Sequence, residues 1–453
     1  MKVHFIAIGG SAMHNLAISL TKNGYEVTGS DDEIVEPSRS RLLNLGLLPE
    51  QEGWFPEKIH SGLDAVILGM HARGDNPELA KAKELGLKIY SYPEYIYEQT
   101  RNKTRVVIGG SHGKTTITSM ILHVLNYHHV RHDYLVGAQL EGYDCMAGFW
   151  DDSKIAVIEG DEYLSSPEDR RPKFHLYHPH VAIISGIAWD HINVFPTFEI
   201  YVDQFRKFID LIEDGGTLIY CDTDKELAAI APLHGKNIRR IPYVAYPNAT
   251  ENGLTSLLTP NGNRIPLLVF GDHNMQNLHA AKHACAQIGI SEEQFFEAIR
   301  SFKGAARRLE LVKKNDSCNI YKDFAHSPSK LKATTSAVKT QFPKRSLVAC
   351  MELHTFSSLT EAFLLQYKGA MDTADQAIVY FNPHTIAHKK LKPITEEQVK
   401  QAFGRKDILV YTDSSVLVDD LKKRNWNNSN LLLMTSGNFD GVDFAQLAES
   451  LIA

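Results

Sequence analysis

The chain has 453 residues, 43% apolar and 23% charged, and its 48 basic and 54 acidic side chains leave a formal net charge of −6. That is soluble globular composition at a length suited to about three domains, and the balance argues against a broad nucleic-acid surface. Cys145, Cys221, Cys285, Cys318 and Cys350 form no C-x-x-C pair, no apolar run suits a membrane span, and MKVHFIAIGG meets glycine too early for a signal peptide. Reduced, mostly buried thiols and a cytoplasmic protein without nucleic-acid or membrane partners are the expectation.

The first block alternates strand-like and helix-like segments: KVHFIAIGG, a helix over MHNLAISLTKNG, YEVTGSD, LDAVILGM, a helix from Asn76 to Leu85, and LKIYSY. Short apolar runs separated by amphipathic segments predict parallel strands with crossover helices. IAIGGSAM resembles a dinucleotide fingerprint, with Ala12 in place of the third glycine and Asp31 about twenty residues on. A helix N-terminus behind Gly9 and Gly10 suits a diphosphate of many kinds, and a tight turn without ligand is the alternative. The block ends near Tyr97, where EQTRNKT reads as a linker.

The second block opens on VVIGGSHGKTTITSM, Val106 to Met120. A P-loop, G-x-x-x-x-G-K-S/T, would place its first glycine at Ile108, which still belongs to the apolar run. The loop is short, but its far end is complete. A strand over Val106–Ile108, a turn over Gly109–Gly113 and a helix from Thr115 aim amides and a helix dipole at an anion. Gly110 and Gly113 let the backbone around Ser111 and His112 approach phosphate; Lys114 reaches the β- and γ-phosphates, and Thr115, followed by Thr116, offers a hydroxyl to Mg²⁺.

Two strand-like runs follow. KIAVIEGDE puts Glu159 past its apolar stretch with Asp161 and Glu162 beside it, and HVAIISGIAWDHINVF does the same for Asp190 and His191. Ligands gather at the carboxyl ends of parallel strands, although acidic residues there also serve as turns and caps. His128, His129 and His132 in LNYHHVRH lack a matching carboxylate or cysteine spacing and read as solvent-facing residues at a helix end. GTLIYCD is a further strand, residues 239–270 read as a small β-rich insertion, and helices are predicted from about Asn274 to Gln287 and Ser291 to Arg300.

The third block carries NIYKDFAH, RSLVACME, QAIVYFN, DILVYTD and NLLLMTSGN, again interleaved with helices. Two phosphate-binding turns in one chain suggest ATP and a second phosphorylated substrate. After NLLLM, the polar stretch Thr435 to Asp440 offers hydroxyls and amides to carboxylates, with Asn438 among them and Asp440 suited to an ammonium.

GGSHGKTT is similar to the GTHGKTT-type loop of the Mur ligases, ATP-dependent enzymes that build cytoplasmic peptidoglycan precursors. HFIAIGGSAM, EGDEY, GDHNMQN, FKGAARRLEL and DFAHSP resemble further motifs of that family, in the same order along the whole chain. The resemblance implies an α/β protein of three domains: a Rossmann-like UDP-N-acetylmuramate-binding domain (1–98), a P-loop central ATPase domain (99–302) and a Rossmann-like C-terminal domain binding the amino acid or peptide (303–453). It also implies ATP and Mg²⁺ as cofactors. Lys114 and Thr115 would bind phosphate and magnesium, Glu159 one magnesium ion and His191 a second. Asn277 would meet the adenine, and Arg308, Asp323 and His326 would contact ATP. Gly10, Ser11, Ala12 and Met13 would face the UDP diphosphate, Asp31 the uridine, and His71 and Arg73 the nucleotide sugar. HARGDNPEL, FKGAARRLEL, YKDFAHSP and MTSGNFDG look most like the murein peptide ligase branch, which joins L-alanyl-γ-D-glutamyl-meso-diaminopimelate to UDP-N-acetylmuramate; the sibling branch takes L-alanine. A UDP-sugar-binding regulator that does not ligate is the alternative of another class. Ile187, Ala188 and Trp189 depart from the asparagine and glutamate often found before the D-H pair, and Phe205 stands near the place of a carbamylated lysine in other branches.

Overall fold

The computed structural model describes residues 1–138, 140, 142–143, 145–189 and 194–452. The chain forms two compact units, Met1–Val244 with Leu278–Ile299, and Ala245–Asn277 with Arg300–Ala453.

The first unit holds two sheets. In the smaller, all-parallel one the strand order is Glu26–Ser30, Lys2–Ile6, Ala65–Leu68, Ile89–Ser91. Ile6 lies opposite both Ser30 and Leu68, so the loops leaving these three strands share one edge. The larger sheet runs Arg239–Tyr243, Thr217–Cys221, Val181–Ile184, Thr104–Gly109, Ile155–Glu159, Asp133–Leu135, Ala147–Gly148, parallel except for the last pairing. Ala65–Leu68 and Val181–Ile184 are buried at every position, as strands flanked on both faces must be. Each fully buried Val, Ile or Leu contributes about 1.5–3 kcal/mol relative to exposure. Register then fixes the site: Glu159 sits opposite Ile108, and Ile184 opposite Gly109.

The predicted helices at 76–85, 274–287 and 291–300 appear as Pro77–Glu84, Asp272–Gln287 and Glu292–Ile299. The expected insertion divides differently. Among the described residues Arg239–Tyr243 pairs only with Thr217–Cys221 at the edge of the larger sheet, where Pro242 has no inner ladder to interrupt. The antiparallel meander is Asn248–Glu251, Leu254–Leu258 and Arg264–Leu267; its first turn uses Asn252 (φ 52°) and Gly253 (φ 76°), both left-handed, as a two-residue N-G hairpin requires.

That meander belongs to the second unit, together with a six-stranded sheet ordered Glu310–Lys314, Cys318–Asp323, Ser429–Met434, Ser346–Leu353, Gln376–Phe381, Leu409–Tyr411. Only the first pairing is antiparallel. Met434 faces Asp323 and Met351, and Leu353 faces Phe381, so the residues after these strands also gather at one edge. All five cysteines are buried and free, as expected. The solvent reading of the 128–132 histidines fails for His132, which is 5% exposed with its ring against the Val130 carbonyl; burial lowers its pKa.

Candidate active site

The strand Thr104–Gly109 hands the chain to a turn and then to the helix Lys114–Tyr127. Two glycines make that turn possible. Gly110 has φ 117°, and a Cβ there would lie 2.4 Å from Ser185 Oγ. Gly113 caps the helix at φ 73° without a side-chain cap, leaving the first-turn amides to face the loop mouth. The turn is braced from the neighbouring strand end: Ser111 N donates to the Gly186 carbonyl at 3.0 Å, and Ser185 Oγ donates to that of His112. A short loop therefore still has the form of a phosphate cradle.

Lys114 Nζ donates to the Gly110 carbonyl and to Glu162 Oε2, both at 2.7 Å. Burial alone would lower the lysine's pKa, but the carboxylates of Glu162, Asp161 and Glu159 outweigh it and raise it. Asp161 pairs with Lys173 at 2.6 Å; burial pushes its pKa up, yet Lys173 and Lys114 together hold it down to about 2. Thr115 Oγ1 donates to Glu159 Oε1 at 2.9 Å, and Gly137 N donates to Glu159 Oε2 at 2.7 Å. These are the hard oxygens that Mg²⁺ takes from a protein while phosphate and water complete its shell, so Thr115 and Glu159 fit that ion. Asp190 and His191 lie outside the described residues. Among the described residues there is no group of three His, Cys, Asp or Glu side chains suited to a metal.

The second turn of the first unit follows Lys2–Ile6. Ala7 takes a left-handed φ of 68°, and Gly10 caps the helix Ser11–Lys22 without a side-chain hydrogen bond. Asp31, just past Ser30, accepts from Gly9 N at 2.7 Å, and burial lifts its pKa to about 6 against that amide. Gly10, Ser11, Ala12, Met13 and Asp31 are thus brought to one sheet edge. His71 and Arg73 follow the adjacent strand and are exposed, with Arg73 Nε 3.3 Å from Asp75.

The second unit carries the other expected ATP residues. Asp323 accepts from Leu309 N and Ala325 N, each at 2.6 Å, while Arg308 lies over the Phe324 ring at 4.9 Å. His326 Nδ1 is 2.8 Å from the Phe324 carbonyl, so these three residues form one cluster. Arg307 and Leu309 flank it in left-handed conformations. Asn277 is buried on the helix Asp272–Gln287.

Asn438 uses its side chain within its own turn, accepting from Gly441 N at 3.0 Å. Asp440 instead borders a cavity of about 560 Å³ lined by Tyr380, Asn382, His384, Thr412, Asp413, Ser414, Ser415, Val418, Asp440, Gly441 and Val442. Tyr380 is fully buried, with Asn382 beside its hydroxyl. Glu352, 3% exposed, holds the 435–439 turn by accepting from Thr435 Oγ1 and Phe439 N. Sequence reasoning missed Tyr380, Glu352, Lys173, Gly137 and Tyr201. None carries a local motif; each reaches its place through tertiary packing.

Residues 2–104 match the Mur ligase family, catalytic domain, and residues 108–285 the Mur ligase middle domain. A UDP-N-acetylmuramate–L-alanine ligase of Sulfurihydrogenibium is 30% identical over 384 residues, covering 83% of this chain and 82% of that protein. The chain belongs to the Mur ligase family. As such it is an ATP-dependent ligase that forms a C–N bond. Solved folds agree along its length: a murein peptide ligase from Psychrobacter arcticus superposes with TM-score 0.65 at 22% identity, and a UDP-N-acetylmuramate–alanine ligase from Thermotoga maritima with 0.70 at 20%. Each covers 100% of this Mur ligase and 98% of its own chain. Among the described residues no helix is long and apolar enough to cross a membrane.

Proposed function

We propose that this Mur ligase joins the lactyl carboxylate of UDP-N-acetylmuramate to the amine of L-alanyl-γ-D-glutamyl-meso-diaminopimelate in peptidoglycan recycling. The cavity beside Asp440 carries the peptide reading. At about 560 Å³ it would be left mostly empty by L-alanine, while Asp413 and Asp440 suit an ammonium.

We assign UDP-N-acetylmuramate to residues 1–98, ATP chemistry to 99–302 and the acceptor to 303–453. A carboxylate does not acylate an amine usefully, because its oxygen is a poor leaving group. Attack of the lactyl carboxylate on the γ-phosphorus of ATP expels ADP and gives an acyl phosphate. The amine then attacks the acyl carbon, and phosphate leaves as the tetrahedral intermediate collapses with loss of the amine proton. The protein's part is positioning and charge stabilisation. Lys114 and the amides from Gly110 to Thr116 hold the phosphates, and Thr115 and Glu159 would hold Mg²⁺, with His191 assigned to a second ion; magnesium when bound neutralises triphosphate charge. Asn277 meets the adenine while Arg308, Asp323 and His326 contact ATP. Gly10, Ser11, Ala12, Met13 and Asp31 take the UDP moiety, with His71 and Arg73 toward the sugar.

The second reading is L-alanine as acceptor, favoured by the names of the curated relatives. Phosphate release with ATP, UDP-N-acetylmuramate and either acceptor decides between them. We expect kcat/KM to favour the tripeptide at least about tenfold, the equivalent of one good polar contact; a preference for L-alanine would overturn the peptide reading.

A further inference from the structure

Tyr201 is fully buried on the helix Phe198–Asp210, and its ring packs edge-on against Phe205 at 5.2 Å. Its hydroxyl ends between two parts of the candidate ATP site that are far apart in sequence. It is 2.9 Å from Ser111 Oγ in the phosphate loop and 3.2 Å from Glu162 Oε1, whose other oxygen accepts from Lys114. The directions of these bonds follow from the donor inventory. Ala188 N donates to Ser111 Oγ at 2.9 Å, leaving the serine proton for the tyrosine oxygen. A carboxylate only accepts, so the phenolic proton goes to Glu162. The result is a directed chain from Ser111 through Tyr201 to Glu162, in which each bond polarises the next.

We propose that Tyr201 is a positioning residue that regulates how readily Lys114 is released to an incoming triphosphate. With the phenol donating to one oxygen, part of the Glu162 charge is already neutralised and its hold on Lys114 at the other oxygen is weakened. Without the phenol, that share of the Glu162 charge bears on the lysine instead, and ATP must compete with a tighter ion pair. The sequence shows none of this, since Tyr201 lies outside every phosphate-loop and strand-end motif. The proposal rests on the loop being the ATP site.

The test is Mg·ATP affinity, measured by calorimetry on the full chain without the other substrates. Tyr201→Phe keeps the ring and removes one oxygen; we expect Kd for ATP to rise about three- to tenfold, the effect of a single hydrogen bond. Acting through Glu162 makes a further demand: in a Glu162→Gln background, Tyr201→Phe should change ATP affinity less than twofold, because the charge it moderates is gone. Phe205→Leu, which disturbs the same packed face without touching a polar group, should leave ATP affinity unchanged. Should Tyr201→Phe prove too unstable to assay, Glu162→Gln alone carries the test: freeing Lys114 should keep or tighten ATP binding, and a loss would overturn the proposal. Additive losses in the double variant, or equal losses from Phe205→Leu, would assign Tyr201 a packing role only and overturn it too. If Lys114→Ala binds ATP like the wild type, the loop assignment itself has failed; if that variant loses affinity while Tyr201→Phe does not, only the Tyr201 proposal has.

Discussion

Removing the Lys114 ammonium separates what this residue does for folding from what it does for catalysis. Its pairing with Glu162 at 2.7 Å is largely shielded: the lysine side chain is 18% exposed and the glutamate 2%. Breaking a fully buried pair by deleting one partner typically costs about 3–5 kcal/mol, because the remaining charge is stranded. Here Glu162 keeps the Tyr201 hydroxyl as a donor, and the lysine end is partly solvated, so we expect Lys114→Ala to cost nearer about 2 kcal/mol. For a unit of this size that is a fall of roughly 4–8 °C in Tm. The catalytic loss is separate: one preorganised cationic contact on a transferring phosphoryl group is worth about 3–4 kcal/mol, or on the order of a hundred- to a thousandfold in kcat. Lys114→Ala/Glu162→Gln removes the stranded charge and should recover most of the lost Tm while turnover stays depressed. Thermal melting and acceptor-dependent phosphate release on the three proteins give both numbers. Turnover within tenfold of the wild type in the double variant would refute the placing of Lys114 on the phosphates; a Tm no higher than in the single variant would refute the ion-pair argument.

Gly110→Ala should abolish ATP binding and cost several kcal/mol, since the new Cβ would meet Ser185 Oγ at 2.4 Å and Ser185 N at 2.7 Å in a backbone conformation that disfavours it; wild-type calorimetric affinity would contradict this. Asp31 has a folded pKa raised from 3.8 to about 6, so the folded state binds the extra proton between those values and stability falls as pH rises through that window. Asp31→Asn should remove that fall and gain on the order of 2–3 kcal/mol at pH 7, read from denaturant melts between pH 4 and 7.5; parallel pH profiles for the two proteins would count against it. Asp440→Asn should raise KM for the tripeptide several-fold and leave KM for ATP unchanged, and steady-state titration of each substrate checks the split.

Local patterning in the sequence determined the strands, the crossover helices and the glycine turn before Lys114, because apolar periodicity and glycine placement act within a few residues. GGSHGKTT announced a glycine-capped helix start even at the wrong loop length, since the left-handed Gly113 and the lysine after it are neighbours in the chain. The dinucleotide-like turn was legible for the same reason, although Ala7, rather than a glycine, takes its left-handed position. Tertiary structure alone decided which distant groups meet. Glu159 reaches Thr115 because Glu159 pairs in register with Ile108, and Glu162 reaches Lys114 from the segment that follows. Tyr201 arrives on a helix some ninety positions from Ser111, and the Asp440 cavity is assembled from three strand ends. Register and helix packing are cooperative properties of whole sheets, so no short window of residues encodes them.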